Sequence, residues 1–156
     1  MAVKIFGTFL AVLTFAILIE TPKRDLVYAG IVGAVGGASY LISETCGMGT
    51  VTASFVSALS IALVSHIFAR VFKKPVTLFL IAGILPTVPG AGMYRIVYYI
   101  IAGDRAMSSY YLVQTAEIAG AIALAVFIMD TLFRLFLKGW KQNSLQYVKR
   151  KNRPME

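Results

Sequence analysis

Hydrophobic residues fall in long blocks along this chain, and short charged or proline-containing segments separate the blocks. Each block is of the order of 20 residues, the length that an apolar helix needs to cross a bilayer. Five spans follow from the pattern, at about 3–19, 26–42, 50–72, 76–101 and 110–137. The pattern therefore predicts an all-α integral membrane protein with five transmembrane helices.

The fourth span carries residues at its middle that cannot continue a helix, in the order Pro-Thr-Val-Pro-Gly-Ala-Gly over 86–92. Proline lacks a backbone N–H and crowds the preceding turn. A backbone break at membrane depth is tolerated only where protein or a water-filled cavity surrounds it. Each half of the span covers about 15 Å at ~1.5 Å per residue. The sequence therefore predicts a Pro-x-x-Pro-Gly break near the middle of the bilayer.

Such a break leaves backbone groups without helical partners on both sides of it. Carbonyl groups are left near Leu85, and N–H groups are left over 91–94. The carbonyls suit an ammonium group and the N–H groups suit a carboxylate, so a zwitterionic amino acid offers both partners. A structural kink packed against a neighbouring helix is the alternative. The expected substrate-binding residues are Pro86, Thr87, Pro89, Gly90, Gly92, Tyr94 and Arg95.

Composition and charge agree with a membrane protein. Hydrophobic residues make up 58% of the chain and charged residues only 14%, whereas soluble domains carry about a quarter charged residues. With the N-terminus outside, the cytoplasmic side receives twelve basic residues and the outer side two. The positive-inside rule therefore predicts an outer N-terminus and a cytoplasmic C-terminus. The expected division is a transmembrane domain, 1–137, and a basic cytoplasmic tail, 138–156.

The net charge of +8 does not indicate nucleic acid, because no basic segment is interleaved with aromatic residues for base stacking. The tail is expected to contact anionic lipids instead. The sequence contains one cysteine, Cys46, and one histidine, His66, so it predicts neither a disulfide nor a metal cluster, and no cofactor is expected.

The absence of a nucleophile–base or paired-carboxylate pattern argues against an enzyme. We expect His66 to lie at the membrane interface.

Glu117 lies well inside the fifth span, where a carboxyl group is expensive unless it faces a cavity or a partner. Gln114 precedes it by three residues, so both project from one helix face. The pair is therefore a candidate for proton coupling, with a structural hydrogen bond between helices as the alternative.

Five further residues have a structural interpretation beside any functional one. Arg95 is a candidate for a substrate carboxylate or for pairing with Glu117. A structural ion pair or snorkelling to the outer interface is its alternative. Asp130 and Arg134 are four residues apart, which favours a local ion pair. Gly33 and Gly37 have the spacing of a helix-packing groove, and no phosphate-binding sequence follows them.

The segment Gly-Ile-Leu-Pro-Thr-Val-Pro-Gly-Ala-Gly-Met-Tyr-Arg over 83–95 resembles the Pro-x-x-Pro-Gly-x-x-x-Tyr signature of the threonine/serine exporter family. More narrowly, it resembles the small membrane component of the two-component exporters. The resemblance covers most of 1–137, and it carries over Pro86, Pro89, Gly90 and Tyr94. It implies export of threonine, serine or small carboxylates such as succinate, together with a larger partner chain.

The sequence therefore predicts a subunit of a secondary transporter in the cell membrane. Five spans are few for a self-sufficient carrier, so we expect a larger membrane subunit or further copies of the chain. The alternative is an accessory subunit that stabilises a larger transporter chain and binds no substrate itself.

Overall fold

The computed structural model describes the backbone of residues 2–151 and the side chains of residues 2–136. The helices are α1 (Ala2–Leu18), α2 (Leu26–Thr45), α3 (Thr50–Val71), α4 (Val76–Ile84), α5 (Gly90–Ile101) and α6 (Arg105–Lys151). A short 3-10 turn, Leu85–Thr87, follows α4. The described backbone contains no strand, which confirms the all-α prediction. The predicted basic tail, 138–156, lies outside the described side chains.

Three helices are long and apolar enough to cross a membrane: α2, α3 and the Arg105–Phe136 part of α6. A fourth span is formed if α4, with its 3-10 turn, and α5 cross together, and these two pieces meet at an angle of 44°. The remaining helix, α1, is apolar but has only 17 residues. The membrane protein prediction is confirmed, while the count of five spans stays a prediction.

The core lies between α1, α2, α3 and α4. Its largest buried side chains are Val12, Val32, Ile61 and Phe79, one from each of these helices. A smaller cluster, formed by Ala58, Ile122 and Ala125, joins α3 to α6. By contrast, α5 has no buried residue and contacts mainly α6. The broken helix pair therefore has a well-packed first half and a second half at the edge of the bundle.

Glycines allow α1 and α2 to approach closely. A Cβ atom added at Gly33 would overlap the side chain of Val12, and one added at Gly37 would overlap Thr8. Such contacts are available only to residues without a side chain, because a folded interior has little space for an extra methyl group. Both glycines that the sequence marked for packing lie at this contact.

The two ends of the bundle differ in charge. One end, called the basic end here, carries the basic residues Lys23, Arg24, Arg70, Lys73 and Lys74. There the buried carboxylate of Asp25 lies 3.4 Å from the Lys74 ammonium group and joins the α1–α2 and α3–α4 connections. The opposite end, called the far end, contains the α5–α6 turn. Gly103 has a φ of 78° there, a conformation that favours glycine after a helix.

Candidate solute-binding site

The helix break occupies the residues between α4 and α5. Pro86 has no N–H for the α-helical bond, and α4 gives way to the 3-10 turn at Leu85. The Thr87 hydroxyl donates a hydrogen bond to the Ile84 carbonyl at 2.5 Å. Val88 then has an extended conformation, with φ −60° and ψ 131°, before α5 begins at Gly90. The chain therefore leaves α-helical geometry for five residues and changes direction.

The first turn of α5 leaves backbone donors free. The Met93 N–H donates to the Pro89 carbonyl at 3.2 Å, whereas the N–H groups of Ala91 and Gly92 find no acceptor among the described residues. Both residues line a cavity beside the break. Free N–H groups at a helix start favour an anion, because the helix dipole adds to their partial charges.

The cavity beside the break, called the break cavity here, has a volume of about 520 Å³. That volume lies within the range of about 300–1,000 Å³ of small-molecule sites. It extends from the break toward the far end, where Lys4, Tyr40 and Tyr111 line it. Its lining includes six of the residues predicted for solute binding or proton coupling: Pro86, Thr87, Pro89, Gly92, Arg95 and Gln114. Gly33 and Gly37 also line it, so the tight α1–α2 contact borders this cavity.

Two residues predicted to bind substrate lie outside the cavity lining. Gly90 faces open space, with no atom within 4 Å of a Cβ added there. Tyr94 is 70% exposed and its ring stacks on Tyr98 at a centroid distance of 6.3 Å. Successive helical residues are rotated by about 100°, so neighbours in one motif face different directions. These residues belong to the outer surface of α5 in this chain.

Arg95 is the cation nearest the free N–H groups in sequence. Its guanidinium carbon lies 5.1 Å from the centroid of the Tyr111 ring, a cation–π arrangement. None of the acidic side chains that the structure describes forms an ion pair with it, and the expected alternative, pairing with Glu117, is not present. The N–H donors of the guanidinium are therefore available to an acceptor in the break cavity.

Polar residues from other helices complete the cavity wall, and sequence reasoning did not assign them to the site. They are Lys4, Thr8, Tyr40, Thr50, Ser54, Tyr111 and Thr115. Lys4 supplies a second cation at the far-end side of the cavity. No local motif marks these residues, because only the packing of α1, α2, α3 and α6 brings them together.

Glu117 does not line the break cavity. It is exposed and lines a separate groove of about 630 Å³ between the starts of α3 and α6. Gln114 lines both this groove and the break cavity. The predicted proton-coupling pair therefore lies at the boundary of the two spaces, with the amide on the cavity side.

Asp130, Arg134 and His66 lie toward the basic end. The ion pair between Asp130 and Arg134 is present, with 2.8 Å between the carboxylate and Arg134 Nε. His66, which we expect at the membrane interface, is buried within the bundle, and its ring stacks on Phe133 of α6 at a centroid distance of 4.5 Å. The rotation of α3 against α6, which sequence reasoning did not fix, places it there.

Comparisons with known proteins agree with the resemblance seen in the sequence. A family model described as "Threonine/Serine exporter, ThrE" matches residues 4–132. A curated relative, the "Threonine/serine exporter" of Corynebacterium glutamicum, is 25% identical over 120 residues. That match covers 77% of this chain and 24% of the relative, so the chain spans about a quarter of the relative's length. No solved structure matches the chain.

Proposed function

Because the chain belongs to the threonine/serine exporter family, we propose that it is a subunit of a secondary transporter in the cell membrane that exports threonine, serine or small carboxylates. Family membership indicates a transporter rather than an enzyme. The observation that carries the proposal for this chain is the break cavity, where free backbone donors and a cation border one space.

The solute's carboxylate is proposed to bind between the N–H groups of Ala91 and Gly92 and the guanidinium of Arg95. All three residues line the break cavity. Charge-assisted hydrogen bonds of this kind are roughly twice as strong as neutral ones. Because they replace the hydration shell of the carboxylate, they lower the cost of moving the charge into the protein.

The ammonium group of an amino acid is proposed to face the end of α4. Pro86 cannot donate a hydrogen bond to the carbonyl one turn before it, and the negative end of the α4 dipole lies at the same place. Thr87 and Thr115 supply hydroxyl groups along the cavity wall. A hydroxylated side chain finds partners there, which suits threonine and serine, whereas a dicarboxylate would use Arg95 and Lys4.

A partner is proposed because this chain presents polar features on an open surface. Glu117 is exposed on α6 within a candidate span, and α5 has no buried residue. A carboxyl group facing lipid is costly, so it needs a partner surface or water. A larger membrane subunit or further copies of this chain would supply that surface.

Proton coupling and orientation are further parts of the proposal. Glu117, with Gln114 beside the cavity, is the proposed proton-coupling group on the far-end side. The N-terminus is placed outside and the C-terminus in the cytoplasm, because the basic end then lies inside. In that orientation the basic tail contacts anionic lipid headgroups. Nucleic acid has no part in this function.

The proposal is tested by flux into and out of proteoliposomes that contain the chain with and without a partner subunit. Threonine, serine and succinate are the solutes, and Arg95→Gln is the variant that distinguishes a binding subunit from an accessory one. If the chain binds the solute, the variant assembles with the partner and transports poorly. If the variant assembles and transports like the wild type, Arg95 does not bind the solute and the accessory role is favoured.

A further inference from the structure

A group of charged and aromatic residues connects α3 to α6 near the basic end. His66 Nε2 lies 3.8 Å from Asp130 Oδ1, and the other carboxylate oxygen of Asp130 accepts the bond from Arg134. The Arg70 guanidinium lies 4.6 Å from the centroid of the Phe133 ring, on which His66 stacks. His66 is only 6% exposed, whereas the Asp130 side chain is 42% exposed.

This group borders a groove that leads to the helix break. The groove has a volume of about 740 Å³ and runs between α4 and α6. His66, Thr77, Asp130 and Arg134 lie at its basic end, and Ile84, Val88 and Pro89 lie at its other end. Pro89 also lines the break cavity. The break therefore stands between a cavity directed toward the far end and a groove directed toward the basic end.

We propose that His66 and Asp130 form a proton-binding site that opens to this groove on the basic side of the break. The inference deepens the proposed transport function and rests on it for the coupling to solute. Imidazole is the side chain whose charge changes most readily near neutral pH. Its ring nitrogen takes a proton from water in the groove, forms an imidazolium ion beside the Asp130 carboxylate, and later returns the proton to water.

Protonation of His66 changes the net charge of the group of residues around it. The charged groups that face His66 are Asp130 and Arg134 on α6 and Arg70 on its own helix, whereas α4 contributes the uncharged Thr77. With His66 neutral, the two arginines and one carboxylate leave a net charge of +1, and protonation raises it to +2. The second positive charge at the end of the groove would attract a carboxylate-bearing solute from the basic side.

A proton-coupled carrier must exchange protons with both sides of the membrane. Glu117 lies 13 residues before Asp130 on α6, which is about 20 Å along the helix at ~1.5 Å per residue. Glu117 borders the groove at the far end, and His66 borders the groove at the basic end. The two sites thus stand on opposite sides of the break, where each can exchange protons with one compartment.

The proton site is tested by ¹⁵N NMR of the full chain labelled at histidine, in lipid nanodiscs. His66 is the single histidine, so its ring signals need no assignment. The pH is varied between 5 and 8, and we expect the ring to take up a proton as the pH falls. Asp130→Asn should lower the midpoint by about one pH unit or more, because the anion that stabilises the imidazolium is lost. Arg134→Gln should raise the midpoint, because it removes a positive charge near the ring. Since the two variants shift the midpoint in opposite directions, misfolding of one variant would not mimic the expected result.

Glu117→Gln is the matched control, since it makes the same carboxyl-to-amide change on the same helix and should leave the midpoint unchanged. A ring that stays neutral over this pH range would overturn the proton site, and so would equal midpoints in wild type, Asp130→Asn and Arg134→Gln.

The coupling is tested separately by serine flux. In His66→Gln, we expect the rate to lose its dependence on the pH of the basic-end compartment. If serine moves and this dependence persists, the coupling inference is wrong while the proposed function stands. If the wild-type chain moves no solute although its His66 ring takes up a proton as expected, the proposed function fails and the proton site stands.

Discussion

Gly92 in α5 lies directly against Thr115 in α6, where a methyl group added to the glycine would overlap the threonine Oγ1 atom. Both residues line the break cavity. The wall of the cavity is therefore set by a close approach of two helices rather than by long side chains. The contact joins α5 to α6, the helix against which α5 mainly packs, and lies beside the break.

Gly92→Ala should displace α5 from α6. We expect a loss of stability of about 1–3 kcal/mol, the usual effect of an extra methyl group in a packed contact, together with reduced serine flux. Thermal unfolding in detergent and proteoliposome flux measure the two effects. Thr115→Ala in the same chain should restore the stability, because it removes the overlapping atom.

Gly120→Ala is the control for this prediction, since Gly120 lies in α6 with no atom within 4 Å of an added Cβ. Alanine is favoured over glycine in a helix by about 1 kcal/mol, so the control should be neutral or slightly stabilising. Equal stability of Gly92→Ala and the wild type would show that the contact between Gly92 and Thr115 does not contribute to stability.

Gly33→Ala should destabilise the α1–α2 pair, because the new methyl group overlaps Val12, whose side chain is fully buried. The expected cost is again about 1–3 kcal/mol, measured as a lower unfolding temperature. Val12→Ala should partly rescue the variant, whereas Gly7→Ala, in open space on α1, should not destabilise. Additive effects of Gly33→Ala and Val12→Ala would contradict direct contact.

Arg95→Gln should raise the KM for serine about tenfold or more, because a hydrogen bond to a charged group contributes about 1.5–3 kcal/mol. Arg95→Lys should recover only part of the affinity, since an ammonium group lacks the planar pair of donors. Flux as a function of serine concentration measures both. Arg105→Gln, outside the cavity lining, is the charge-matched control. An unchanged KM in Arg95→Gln would remove Arg95 from the solute site.

Glu117→Gln should reduce the dependence of serine transport on the pH of the far-end compartment, because an amide cannot take part in proton exchange. The measurement is flux at fixed basic-end pH with the far-end pH varied. Glu44→Gln, an exposed carboxyl at the end of α2, should behave like the wild type. Unchanged proton dependence in Glu117→Gln would assign this carboxyl to assembly with a partner instead.

Local sequence patterns predicted the helices and the position of the break, because helical periodicity and proline chemistry act over a few residues. The same applies to the ion pair of Asp130 and Arg134, which are one helical turn apart. The solute site was only partly predictable. Gly90 and Gly92 belong to one motif, yet about 200° of helix rotation separates them, and only Gly92 lines the cavity.

Long-range packing decided what local patterns did not. Lys4 and Tyr40 reach the break cavity only because α1 and α2 pack beside α4. His66 and Asp130 are 64 residues apart in sequence, and their proximity depends on the rotation of α3 against α6. No spacing rule connects such residues, because each helix face is chosen by the whole set of neighbours.

The central claim, that the break cavity holds the transported solute, is tested most directly by thiol labelling at Ala91, whose backbone N–H is one of the proposed carboxylate donors. Ala91→Cys in a chain with Cys46→Ser carries one reactive thiol in the cavity. The native Cys46, which is exposed and outside the cavity lining, gives the control rate. We predict that serine slows labelling of Ala91→Cys several-fold and leaves Cys46 unaffected. Equal labelling rates at Ala91→Cys with and without serine, in vesicles that still transport serine, would contradict the account.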